Sequence, residues 1–155
     1  MTAALAKGVL LTGAGGFVGR VLARKLEEAG YAVRAVSRQP ERLGAADAAA
    51  LPRDPTSAES WAPLLDGIDH IVHCAGIAHA TKAIPRETYM AANAELSGAL
   101  ARAAAKSIGG RLIFLSSIRA MSGPVADEVL IDATPPAPED DYGRSKLEGE
   151  RLVAE

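Results

Sequence analysis

The segment TGAGGFVG (12–19) constrains this chain more than any other. It completes the apolar run GVLLTG (8–13), which is too short for a helix and closed by glycine, so it reads as a buried strand entering a tight turn. Gly13, Gly16 and Gly19 stand at G-x-x-G-x-x-G spacing. From Phe17 onward, Val18, Leu22, Leu26 and Ala29 recur at helical spacing until Gly30 supplies a left-handed stop. Each glycine has a mechanical reason to be there. Gly13 permits the reversal off the strand, Gly16 lets backbone approach a pyrophosphate, and Gly19 lets the helix pack closely on the strand. The N–H groups around Phe17 and Val18, at the positive end of the helix dipole, attract an anion. A strand before and a helix after are the context in which such a turn binds a nucleotide.

The rest of the chain repeats that strand–helix rhythm. YAVRAVS (31–37) reads as a second strand, and AADAAALPRD (45–54) is ambiguous, with a short third strand ending near Asp54. SAESWAPLLDG (57–67) reads as a short helix, DHIVHCAG (69–76) as a fourth strand, and residues 87–106 as one long helix. GGRLIFLSS (109–117) gives a fifth strand, and a last helix begins near Tyr142. Alternation of this kind predicts an α/β fold with a parallel sheet and right-handed crossovers. At 155 residues the chain fits one domain with a real core. Aromatics are only 4%, so that core should be aliphatic. A net charge of −2 argues for neither nucleic acid nor an anionic membrane as partner, and no apolar run is long enough to span a bilayer. The single cysteine, Cys74, excludes an internal disulfide and suits a reducing cytoplasm; it reads as a buried strand thiol. His70, His73 and His79 lack a surrounding ligand set at metal spacing, so no metal is expected. Trp61 and Pro63 should pack a helix on the sheet, and Glu139–Asp141 should flank a helix N-terminus in solvent.

Two features bear on chemistry. An acid at the end of the second strand would bond a ribose 2′-hydroxyl and select NAD; the chain has AVSRQ there, with Ser37 and Arg38 and no acid. Arg38 suits a 2′-phosphate through its guanidinium fork, which favours NADP over NAD. Near the C-terminus, DYGRSKLEGE (141–150) places Tyr142 and Lys146 four residues apart on one helix face. A free phenol titrates near ~10 and is a poor base at neutral pH, whereas a nearby ammonium favours the phenolate. FLSSI offers Ser116 and Ser117 at the C-terminal end of the fifth strand, the edge where ligands of open α/β sheets bind.

Taken in order, TGAGGFVG, IVHCAG, YMAANAELSGALARAA, RLIFLSS and YGRSKLEGE resemble the extended short-chain dehydrogenase/reductases, the NAD-dependent epimerases and dehydratases of nucleotide sugars. The chain is most similar to bacterial UDP-glucose 4-epimerase-like proteins, in which an SSI strand end precedes a PxxxYGxSKLExE helix; PEDDYGRSKLEGE fits that form. The resemblance covers nearly the whole chain but only the N-terminal half of a typical member. It implies a Rossmann-type, doubly wound parallel sheet and a Ser–Tyr–Lys set. In that set Tyr142 is the acid/base, Lys146 assists it and bonds the nicotinamide ribose, and Ser117 holds the substrate oxygen. It further implies that Gly13, Gly16, Phe17 and Val18 hold the pyrophosphate, that Asp54 and Pro55 flank the adenine, that Ala75 and Gly76 line the ribose path, and that Asn93 lies near the nicotinamide. Ile118 stands where many sugar epimerases carry a third Ser or Thr, which loosens the substrate class.

On this reading residues 1–155 form a dinucleotide-binding domain whose C-terminal substrate domain is absent, leaving a fragment inactive alone. Its substrate would be a small molecule, a nucleotide sugar. The rivals are an NADPH-dependent carbonyl reductase of dihydroflavonol or hydroxysteroid type, and a dinucleotide-sensing regulator without catalysis. An open edge at the fifth strand predicts self-association into a homo-oligomer or poor order across 122–155. That interval begins with a proline-rich, acidic loop, long enough to suggest a functional or disordered segment.

Overall fold

A computed structural model of the chain describes residues 6–78, 83–126 and 129–155. His79 lies outside the described residues. Five strands form one parallel sheet: β1 Gly8–Thr12, β2 Ala32–Ser37, β3 Asp47–Ala50, β4 His70–His73 and β5 Leu112–Phe114. Their order is β3-β2-β1-β4-β5, so the chain steps outward from β1 to one edge and then returns to build the other side. The crevice between the C-terminal ends of β1 and β4 is therefore the topological switch point, where open α/β sheets take ligands.

β1 is buried at every position because helices cover both faces of the sheet. Val9 and Leu11 face the layer of α1 (Phe17–Glu28), together with Val33, Ala35 and Val72. Leu10, Val36 and Ile71 face the other layer, where Leu96, Ala99, Leu100 and Ala103 of α3 (Leu96–Ser107) complete the core. Trp61 belongs to this second layer and is fully buried, its indole N–H donating to Pro55 O at 2.9 Å.

Three expected elements differ. Residues 59–64 form a 3₁₀ helix, with Pro63 inside it, instead of a longer α-helix. β5 is shorter than 109–117 and lies at the sheet edge, with Ile113 exposed. The long helix is divided into α2 (Arg86–Tyr89), a π-helical segment (Met90–Glu95) and α3. The division sits where α4 (Asp141–Ala154) presses on it: a Cβ added at Gly149 would lie 2.6 Å from Asn93 O. Close approach of α4 and side-chain bonding at Asn93 favour the wider turn there, and π segments of this kind collect at functional sites.

Candidate active site

A cavity of about 770 Å³ opens at the switch point, lined by Gly13, Gly15 and Gly16 from the turn after β1 and by Cys74, Ala75 and Gly76 after β4. Gly13 has φ +69°, and a Cβ there would stand 2.7 Å from Ala75 N, so turn and strand end meet only because this residue is glycine. A Cβ on Gly19 would collide with Gly13 O, which accounts for the close seating of α1 on the turn. Gly16 caps α1 and accepts from Arg20 N at 3.1 Å, with no acid in the first turn to oppose an anion. Phe17 and Val18 begin α1 without lining the cavity; the Phe17 side chain is exposed.

The far wall is cationic. Arg20, Arg38 and Arg42 line it with Ser37 and Gln39, and no carboxylate lines it among the described residues. Of these, Arg38 was expected from the sequence, while Arg20 and Arg42 are additions. Helical spacing leaves Arg20 off the apolar face of Val18, Leu22 and Leu26 and so outward, but its Nε donates to Gly15 O at 2.9 Å and holds it against the turn. Arg42 bonds Gln39 Oε1 at 3.0 Å within a 3₁₀ turn after β2. Its spacing from Arg38 was the available signal.

Two expected adenine neighbours are elsewhere. Asp54 accepts from Thr56 N and Oγ1, and Pro55 O accepts from Trp61, so both serve the turn into the 3₁₀ helix; Leu51 lines the cavity in their place. Asn93 is fully buried and does not line the cavity. It clamps the wall from behind: Ile77 N donates to its Oδ1 at 2.7 Å, and its Nδ2 donates to Ile77 O at 3.0 Å. Cys74 is half-buried and lines the cavity instead of sitting wholly in the strand, and burial raises its thiol pKa. That shift keeps it protonated and unreactive.

Ser117, Tyr142 and Lys146 lie beyond this cavity, around the end of β5 and the first turns of α4. Asp140 ties the start of α4 to the turn after β5. Its Oδ1 caps α4 by accepting from Gly143 N at 2.6 Å, and its Oδ2 pairs with Arg119. A Cβ on Gly143 would collide with Arg119 O, so the helix start and the turn after β5 touch directly. Asp140 is thus a cap and an ion-pair partner, not merely a solvated flank.

The two serines are placed differently. Ser116 donates to Glu150, whereas Ser117 Oγ caps the following 3₁₀ turn (Ile118–Ala120) by accepting from Arg119 N at 3.2 Å. The Tyr142 ring tilts against Tyr89, centroids 6.1 Å apart. Lys146 is 5% exposed; its Nζ donates to Leu115 O at 2.6 Å and stands 3.9 Å from the Phe114 ring centroid. Burial lowers its pKa from 10.5 to about 8, opposed by the charge of Glu150. His73, also on the sheet's inner side, is lowered from 6.5 to about 3 by burial first and by Lys146 second. Both its ring nitrogens are engaged by hydroxyls, and among the described residues no group of three His, Cys, Asp or Glu side chains is placed to hold a metal.

A glycine turn at the switch point of a parallel sheet, with Ser, Tyr and Lys around the neighbouring strand end, defines the class of short-chain dehydrogenase/reductase folds. The match to the NAD dependent epimerase/dehydratase family covers residues 9–155, and the chain belongs to that family. No curated protein matches it. Among solved structures it is similar to uronate dehydrogenase from Agrobacterium tumefaciens, with 29% identity, a TM-score of 0.78, and coverage of 96% of this chain and 55% of that one. It is also similar to a short-chain dehydrogenase/reductase superfamily protein with bound NAD from the same organism, at 25% identity and TM-score 0.77, covering 94% and 44%. The Bordetella bronchiseptica enzyme WbmG, in complex with NAD and UDP, matches at 25% identity and TM-score 0.74, covering 94% and 48%. The chain spans about half the length of these relatives. Among the described residues no helix is long and apolar enough to cross a membrane.

Proposed function

We propose that this chain is the dinucleotide-binding part of an NAD(P)-dependent enzyme that acts on a nucleotide sugar, as an epimerase or dehydratase. The observation that carries the reading is the cavity at the switch point. Its floor is a turn that a Cβ at Gly13 would block, and its far wall carries three arginines and, among the described residues, no carboxylate. Those residues fit a pyrophosphate on the turn and a 2′-phosphate on Arg38 and Arg42, which favours NADP over NAD. A bound nicotinamide would supply hydride acceptance and return.

The chain's own residues do the rest. Ser117 Oγ accepts a backbone N–H, which leaves its hydroxyl hydrogen available to donate to a substrate oxygen. Tyr142 takes the proton of a substrate hydroxyl as the carbon loses hydride, and returns it when hydride comes back. Lys146, one turn further on the same helix face, supplies positive charge beside it. In an epimerase the ketone turns over between the two hydride transfers, so no net oxidation accumulates. The open edge of β5, with Ile113 exposed, favours a homo-oligomer.

The arginine wall also favours a second reading, a carbonyl reductase that consumes NADPH. Titration calorimetry with NADP⁺ and NAD⁺ tests the site directly. NADP⁺ should bind more tightly, and Arg38→Ala with Arg42→Ala should reduce that preference by about tenfold, the size of a lost charge-assisted phosphate contact. Equal affinity for both dinucleotides in the parent chain defeats the 2′-phosphate assignment; no binding of either defeats the cofactor site. In the full-length gene product, Tyr142→Phe should abolish interconversion of UDP-hexoses. Stoichiometric loss of NADPH would select the reductase.

A further inference from the structure

Five buried polar side chains from five segments meet behind the cavity: Thr12 (β1), His73 (β4), Asn93 (π segment), Ser97 (α3) and Ser145 (α4), each fully buried. The chemistry above uses neither His73 nor Ser97. Their hydrogen-bond directions follow from one fixed point. Ser97 Oγ donates to Asn93 O at 2.8 Å, so toward His73 Nε2, 2.9 Å away, it accepts. His73 is therefore the neutral Nε2–H tautomer, and its Nδ1 accepts from Thr12 Oγ1 at 2.5 Å. Thr12 Oγ1 in turn accepts from Ala75 N at 3.1 Å. The Phe114 ring stacks on the imidazole, centroids 5.6 Å apart.

The bonds close on themselves. Ala75 hangs from Thr12, Ile77 hangs from the Asn93 side chain, and side-chain bonds join Thr12 to Asn93 through His73 and Ser97. Ala75, Gly76 and Ile77 are the cavity wall after β4. One branch leaves the ring: Asn93 Nδ2 donates to Ser145 Oγ at 3.0 Å, and Ser145 Oγ donates to Tyr142 O at 2.7 Å. We infer that His73 and Ser97 are positioning residues, which fix the nucleotide wall 75–77 and the Tyr142 helix in one frame. The functional part of this inference rests on the dinucleotide reading of the cavity.

The test has two arms. Nitrogen-15 spectra of the chain should show His73 with Nε2 protonated and Nδ1 bare from pH 5 to 8; an Nδ1–H tautomer, or titration within that range, overturns the assignment. A double-mutant cycle then measures NADP⁺ affinity in Thr12→Val, Ser97→Ala and the pair. Each single change should weaken binding about fivefold, the size of one net hydrogen bond, and the pair should also weaken it about fivefold, because either cut opens the same ring. Losses that multiply, or no loss in either single variant, refute the inference. Thr12→Ser and Ser97→Thr keep the hydroxyls and should restore affinity; failure of both also refutes it. If the parent chain binds no dinucleotide, the proposed function fails. Amide exchange then decides the ring: Thr12→Val should speed exchange at Ile77 as well as at Ala75, and an effect confined to Ala75 refutes it.

Discussion

Lys146→Met is expected to stabilise the chain while removing the cation that the proposed chemistry needs. The lysine is almost fully buried, and its fall from 10.5 to about 8 is caused first by burial. At 1.36 kcal/mol per pH unit, that difference is on the order of 3 kcal/mol between the charged and neutral forms. The sign follows from proton counts. Below pH 8 both folded and unfolded chains hold the proton, and the fold carries the whole cost of the buried ammonium. Between 8 and 10.5 the unfolded chain holds more protons than the fold, so stability rises with pH; above 10.5 the cost is gone. Methionine has similar length and no charge, so its variant lacks this rise. The single tryptophan, Trp61, is fully buried and reports unfolding by fluorescence. Urea titrations at half-unit steps from pH 7 to 10.5 should show the advantage of Lys146→Met shrinking by about 2–3 kcal/mol above pH 8. An advantage that stays constant within about 0.5 kcal/mol over that range would refute the reasoning, because the amine would then carry no burial cost.

His73 predicts a second pH arm on the acid side. Its pKa falls from 6.5 to about 3 in the fold, so stability is full above 6.5 and is lost as pH drops, at about 1.4 kcal/mol per unit; His73→Gln should flatten this slope in thermal melts between pH 6.5 and 4. Gly149→Ala should destabilise by about 1–3 kcal/mol despite the better helix propensity of alanine, since the new Cβ would meet Asn93 O at 2.6 Å and Phe114 Cζ at 3.0 Å. Asp140→Ala removes both the cap of α4 and the partner of Arg119, whose Nε is already without a hydrogen bond among the described residues. Chemical denaturation should show a loss of about 2–4 kcal/mol, exceeding that of Asp140→Asn, which keeps the cap.

Sequence alone carried the local rules. A glycine at φ +69°, a two-sided apolar strand and a helix start before Tyr142 are decided by neighbours along the chain, and each was legible as such. The alternation of strands and helices likewise led to the parallel sheet, because right-handed crossovers leave few other arrangements. Strand ends were less legible. GGRLIFLSS gives no break between Phe114 and Leu115, yet pairing stops where β4 stops.

What the tertiary structure decided is which groups meet once the elements have packed. Arg20 belongs to the cavity wall because the turn folds back onto it, although helical periodicity alone faced it outward. Asp54 and Pro55 do not line the cavity, and the Pro55 carbonyl accepts from Trp61. Asn93 became a clamp and His73 a neutral linker through bonds spanning 16 to 61 residues. Backbone sterics and periodicity act over a few residues and can be read in order. Desolvation and the pairing of buried polar groups depend on which surfaces meet, and that is settled only when the layers close.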